Sequence, residues 1–169
     1  MKRRILRAII AGSLIASTLT ISACQSEKSY ETTDLMTGIK AASHETVKPD
    51  DAFKSAYDNF SVELLKKCFD GKSNTLISPL SLSSALTMTA NGANGQTKEE
   101  MEKVLGNGIS LDELNKYLSS FNDSLTSGDD FKLKNANSIW FRDDENRLTV
   151  EKDFLQKNAD YFGAAIYKR

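Results

Sequence analysis

The chain has 169 residues, of which 40% are apolar and 27% charged, and its net charge is −1. These are the proportions of a globular chain of ordinary single-domain size. The near-neutral balance lacks the basic excess that a nucleic-acid surface needs, so no nucleic acid is expected as a partner.

At the N-terminus Lys2, Arg3, Arg4 and Arg7 form a basic region ahead of an apolar run from Ala8 to Ile21. That run is too short to span a bilayer and suits a secretory signal. Residues 1 to 23 are accordingly predicted to be a signal peptide. Its end, Ile21-Ser22-Ala23-Cys24, resembles a bacterial lipobox, in which the cysteine becomes the new N-terminus and takes a diacylglycerol thioether. Two buried acyl chains anchor stably where one does not. The alternative is cleavage after Ala23 by an ordinary signal peptidase, which leaves Cys24 a free thiol. Removal of the leader takes the net charge from −1 to −5.

Residues 24 to 48, rich in Ser, Thr, Glu and Lys, read as a lipidated flexible tether with too few large apolar groups to order themselves. His44, the only histidine, falls in this tether, where no scaffold is expected to hold it for catalysis or metal binding.

The folded part is predicted to begin at Pro49. Asp50 or Asp51 can cap a helix whose Phe53, Tyr57, Phe60, Leu64 and Cys68 recur at three- and four-residue spacing. Cys68 lies on that apolar side and reads as a buried structural thiol without a disulfide. Asn74 to Ile77 form a short extended entry to the next helix. Ser78 supplies a capping hydroxyl, and Pro79 takes the first helical position, where its missing N–H costs nothing. No residue from Ser73 to Thr97 is charged, which predicts an interior helix. Gly92 and Gly95, with Asn91 and Asn94, break it. Thr97 and Glu100 have capping-box spacing for a further helix with Met101, Val104 and Leu105 along its apolar edge, ended by Gly106. Ser110 and Glu113 repeat the box and open a helix with Leu111, Leu114, Leu118, Phe121 and Leu125 on one stripe.

Phe131, Leu133, Asn135, Asn137, Ile139 and Phe141 alternate with Lys132, Lys134, Ala136, Ser138 and Trp140, the pattern of a strand. Two asparagines on its apolar face need partners for donors and acceptors alike. Arg142 to Arg147 read as a solvated turn, because they lack the spaced oxygens and glycine of a calcium loop. Glu151 to Phe162 form an amphipathic helix, and Ala164 to Tyr167 begin a strand. No phosphate-cradling glycine loop, zinc spacing or histidine base for a serine nucleophile is present. No enzyme, cofactor or metal chemistry is therefore expected.

Asn74 with Ser78-Pro79-x-Ser81, the uncharged helix, the Gly92-Ala93-x-Gly95-x-Thr97 turn and the Glu99-Glu100-Met101-Glu102-x-Val104-Leu105 helix together resemble the N-terminal third of a serpin. Leu133, Asn135, Ala136, Asn137, Ile139 and Phe141 resemble the family's Leu-x-x-Ala-Asn strand. Phe154, Leu155, Tyr161, Phe162 and Ala164 resemble the helix that follows it. The resemblance runs from about residue 50 to 169.

It implies an α+β fold: the N-terminal helical part of the serpin fold, over residues 49 to 169, with short strands belonging to its large sheets. It also implies inhibition of a serine or cysteine endopeptidase by trapping, in which a cleaved reactive loop inserts into a sheet and carries the acyl-enzyme with it. Ser78, Pro79 and Ser81 match the family's shutter, with Asn74 and Asn137 supporting the same region. The reactive-centre bond and its loop lie beyond Arg169, so these residues alone are expected to be inactive. The fourth helix carries Asp112, Glu113, Lys116 and Asp123, so no heparin binding is expected. A non-inhibitory, surface-anchored binding lipoprotein derived from a serpin remnant is the alternative.

Overall fold

A computed structural model describes residues 31–125, 133–144 and 148–169. The signal peptide and Cys24, the first two residues of the long strand motif and the last three residues of the Arg142–Arg147 turn lie outside these. Residues Thr32–Arg169 form one contact unit and Met1–Glu31 another. The description below is of the former.

In chain order its elements are β1 (Thr33–Asp34), α1 (Asp51–Cys68), α2 (Pro79–Ala90), α3 (Gly95–Gly106), α4 (Leu111–Ser124), β2 (Ser138–Phe141), α5 (Lys152–Phe162) and β3 (Ala165–Lys168). The fold is α+β, as predicted. β2 and β3 run parallel, with Ile139 opposite Ile166 and Trp140 opposite Tyr167. Parallel neighbours need a crossover, and α5 provides it. β1 pairs antiparallel on the other side of β3, giving the strand order β1-β3-β2.

The helix signals translate closely. Asp50 caps α1 by accepting from the Phe53 amide at 2.8 Å, and the same carboxylate accepts from the Tyr117 hydroxyl at 2.6 Å. This one residue therefore sets the start of α1 and ties it to α4. The Phe53 amide, then the Tyr117 hydroxyl, hold the Asp50 carboxyl below its ordinary value, and the same contact raises Tyr117. A depressed folded-state pKa gives stability that is fully present above the unfolded carboxylate value of about 4 and is lost as pH falls through the folded value. The melting-temperature gap between the wild type and Asp50→Ala should thus be level from neutral pH down to about 5 and close in stronger acid. A gap that stays constant into acid would exclude this role.

Phe53 is buried and stacks on Tyr117 at 4.9 Å, and Tyr57 meets Phe121 edge-on at 5.5 Å. These aromatic contacts join α1 to a core of Met88, Ala90, Leu105, Leu111, Leu114, Leu118, Phe162 and Ala164. Ser110 caps α4 as predicted, accepting from the Glu113 amide while donating to the Glu113 carboxylate. On α5, burial pulls the Lys157 ammonium down, but its pairing with Asp112 of α4 and with Asp153 outweighs that and raises its pKa overall.

Six expectations are corrected. Cys68 is exposed, not buried, because the last turn of α1 runs past the helices that cover Phe53. α3 opens at Gly95 with Asn94 as its cap rather than at Thr97, and Gln96 engages Glu100 instead. Val104, read as part of its apolar edge, is 64% exposed. The long strand shortens to Ser138–Phe141; residues 133–137 are described without strand structure, their asparagines being bonded through side chains. Finally, α2 is not interior all round. It buries its small-residue stripe of Ser83, Ser84, Thr87, Met88 and Ala90, while Leu82 is 37% exposed. Small hydroxyl residues let α2 approach its neighbours closely, and so they, rather than the leucines, face the core.

The sixth correction concerns residues 32–48, read as flexible tether. From Thr33 to Val47 they are laid along the folded unit. Leu35 N–H donates to the Ile166 carbonyl at 3.0 Å, Ala42 N–H to Asp160 at 2.7 Å and Val47 N–H to the Ser120 hydroxyl at 2.9 Å. His44 is not free either: its Nε2 lies 2.8 Å from the Ser119 hydroxyl, and its ring packs at 4.9 Å on Tyr161. Backbone donors meeting fixed side-chain acceptors order this strap without a large apolar contribution.

Candidate functional site

The serpin resemblance implies a role for Asn74, Ser78, Pro79, Ser81 and Asn137, and the structure brings part of that set together. Ser78 Oγ accepts from the Ser81 amide at 3.3 Å and donates to Ser81 Oγ at 2.9 Å. Pro79 then begins α2 with its ring at the first position. One hydroxyl therefore both caps the helix and fixes the direction of a second hydroxyl.

Ser81 in turn lines a polar cavity of about 300 Å³, together with Leu80, Ser84, Asn122, Lys134, Asn135, Ala136 and Asn137. α2 supplies the hydroxyl wall, α4 supplies Asn122, and the segment leading into β2 supplies Lys134 and both asparagines. Asn135 donates to Asn122 Oδ1 at 2.9 Å. Asn137 donates from its side chain to the Phe162 carbonyl at 3.1 Å, and its own carbonyl accepts from Ala165 N–H at 3.0 Å. It thus pins the end of α5 to the start of the β2–β3 pair. Asn74 stands apart: it is exposed in the extended segment before Ser78 and does not line the cavity.

Such a wall holds no nucleophile–base pair. Its hydroxyl and amide groups can donate and accept in more than one arrangement, which suits hydrogen bonds that are exchanged rather than bonds that are made. Cationic Lys134 sits on the cavity with no carboxylate among the other lining residues.

A second polar cluster was not foreseen. Asn91, at the end of α2, donates to Asn115 Oδ1 and to Asn158 Oδ1, both at 3.2 Å. Asn115 donates back to Asn91 Oδ1 at 2.8 Å. Asn158 donates to the Phe154 and Met88 carbonyls at 3.0 and 3.4 Å. The signal was available: Asn115 falls at helical spacing from Leu111 and Leu118, and Asn158 from Phe154 and Phe162, so each stands on an apolar stripe. Gly92, read as a conformational breaker, has a packing role. A Cβ there would meet the Phe154 ring at 3.2 Å, so its small size seats α5 against the α2 end.

The family profile described as Serpin (serine protease inhibitor) matches residues 55–169. The chain is a member of the serpin family. A solved structure of a thermophilic serpin, tengpin, in its native state is similar with a TM-score of 0.73 and 46% identity, over 83% of this chain and 36% of that one. Neuroserpin of Homo sapiens is 33% identical over 95 residues, covering 55% of this chain and 22% of its own length. An uncharacterized serpin-like protein of Methanosarcina mazei is 28% identical over 112 residues, covering 66% and 25%. The chain therefore spans about a quarter of these two relatives and about a third of the solved structure.

Proposed function

We propose that these residues are the N-terminal portion of a serpin-type inhibitor of serine or cysteine endopeptidases that acts by loop-insertion trapping. The observation that carries this reading is the cavity where Ser81 and Ser84 of α2 meet Asn135 and Asn137 ahead of β2. In that reading Ser78, Pro79, Ser81 and Asn137 form the shutter, with Asn74 flanking it, and their hydrogen bonds rearrange when a cleaved loop joins the sheet as an added strand. These residues span about a third of the solved serpin structure, and in that reading they do not inhibit on their own.

The N-terminal leader, with its basic region, apolar run and Ala23-Cys24 end, supports export and lipid attachment at Cys24 on the bacterial membrane. Lipid chains and a target protease are then the two partners. A nucleic acid or heparin partner has no supporting feature.

A chimera tests the inhibitor reading. Residues 50–169 replace the matching part of tengpin, whose remaining sequence supplies a reactive loop. Incubated with a serine protease that cleaves that loop, the chimera is expected to form a covalent complex that survives denaturing electrophoresis, while residues 24–169 alone form none. A folded chimera that is cut as a plain substrate, without complex, would overturn the reading.

A further inference from the structure

We infer that the polar cavity between α2, α4 and the segment leading into β2 is a binding site for a small tetrahedral oxyanion of the phosphate class. Such a site needs only the cavity, and it holds whether or not the chain belongs to an inhibitor. Ser84 points to it first. This residue is 4% exposed and lines the cavity, yet its hydroxyl has no hydrogen-bond partner among the described residues. The hydroxyl is not one of the unpartnered atoms sealed from solvent, so the cavity is where it is reached. Buried side-chain polar groups are normally bonded, and here the only room for a partner is the cavity itself.

The neighbouring groups are left as donors too. Ser81 Oγ accepts from the Ser78 hydroxyl, so its own hydrogen remains to be given. Asn122 spends its Oδ1 on the Asn135 amide, which leaves its Nδ2 hydrogens available. Lys134 supplies the charge: it is exposed, makes no ion pair among the described residues, and faces no carboxylate on the wall. Asp123, next to Asn122, is exposed and does not line the cavity.

Leu80 and Ser81 belong to the first turn of α2, whose amide end carries about half a positive charge, whereas Asn122 lies in the last turn of α4, whose carbonyl end carries about half a negative one. The two offset each other, so the full charge on Lys134 decides the sign. A wall of donors with one cation and no carboxylate repels metal ions and draws anions. The donors come from three different elements, which suits four oxygens arranged as a tetrahedron better than the two coplanar oxygens of a carboxylate. The volume of about 300 Å³ admits a phosphate together with bridging waters. An oxyanion held there ties α2 and α4 to the segment before β2.

A titration of the isotope-labelled full chain with inorganic phosphate, at constant ionic strength with chloride as the balancing anion, tests this by amide NMR. Saturable shifts are expected at the Asn122 side-chain amide and at the backbone amides of residues 134–137, with a Kd on the order of 1–10 mM. Inorganic sulfate should move the same signals, and acetate should bind about fivefold more weakly or worse. Lys134→Gln should weaken phosphate about tenfold or more, since hydrogen bonds to charged groups are the strong ones. Ser84→Ala should weaken it about threefold or more without lowering the melting temperature in phosphate-free buffer, because the hydroxyl it removes has no protein partner. Lys134 is exposed, so its variant keeps the fold whatever Ser84→Ala does. Shifts that grow without saturating, that persist undiminished in Lys134→Gln, or that acetate reproduces at equal concentration would overturn the site.

Discussion

Asn158→Leu is expected to lower the unfolding free energy by about 2–4 kcal/mol in urea denaturation, although leucine shares the γ-branched outline of asparagine and has a better helix propensity. Asn158 is 0% exposed, and its amide is fully used. Its oxygen accepts from Asn91, and its nitrogen donates to the Phe154 and Met88 carbonyls. Leucine leaves one Asn91 N–H and the Met88 carbonyl buried without partners, and each such group costs about 1–3 kcal/mol. The gain from an added apolar side chain is smaller than that, because the site is already closed to water.

The same network predicts strong non-additivity. Asn91 uses both of its amide hydrogens on different partners and accepts from Asn115 in return. Once Asn91 and Asn115 have both become leucine, neither stranded member of that pair remains. The double variant should then cost less than the sum of the singles by about 0.5–3 kcal/mol. Additive single effects, or an Asn158→Leu cost within about 0.5 kcal/mol of zero, would show that the three amides do not act as a network.

This network also marks where the sequence could be read and where it could not. Helix starts were legible because a cap is local: Asp50, Ser78 and Ser110 each satisfy an amide within three residues. The α4 stripe was legible because periodicity alone places Leu111, Leu114 and Leu118 together. The Asn91–Asn115–Asn158 cluster spans sequence separations of 24 and 67, and no local rule pairs asparagines so far apart. The strap failed for a related reason. Its composition is that of a disordered segment, and what orders it are Ser119, Ser120 and Asp160, hydrogen-bonding side chains contributed by α4 and α5.

At the candidate site, the resemblance named Ser81 and Asn137, and these two line one cavity. It did not indicate Ser84, Asn122 or Lys134, because their convergence depends on how α2 and α4 cross. α2 was misjudged by the usual preference for burying leucine. Serines and a threonine took the buried stripe, since close approach to four helices leaves little volume between the axes.

Gly106→Ala should likewise destabilise the fold, by about 1–3 kcal/mol, at a position where helix propensity alone predicts a gain of about 1 kcal/mol. Gly106 is the last residue of α3, and its φ is not in the left-handed region, unlike Asn107 at 52°. Backbone strain therefore does not enter, and the effect isolates packing. A Cβ on residue 106 would stand 2.8 and 2.9 Å from the two methyl carbons of Leu114 and 3.1 Å from Ile109 Cβ. Leu114 is 1% exposed within the core formed with Phe53, Leu105, Leu111 and Leu118, so its methyls have no room to retreat. Leu114→Ala alone should cost about 2–5 kcal/mol from the cavity it opens. In the double variant the methyl added at 106 enters the space vacated at 114, and the total should fall below the sum of the single costs by about 1 kcal/mol or more. Asn122 of α4 accepts from Asn135, so if α4 shifts as a unit the proteolytic susceptibility of the 133–137 segment should rise in Gly106→Ala and recover in the double variant. Single effects that add to within about 0.5 kcal/mol would mean that Leu114 moves aside freely and that the close approach of α3 to α4 is not a fixed constraint.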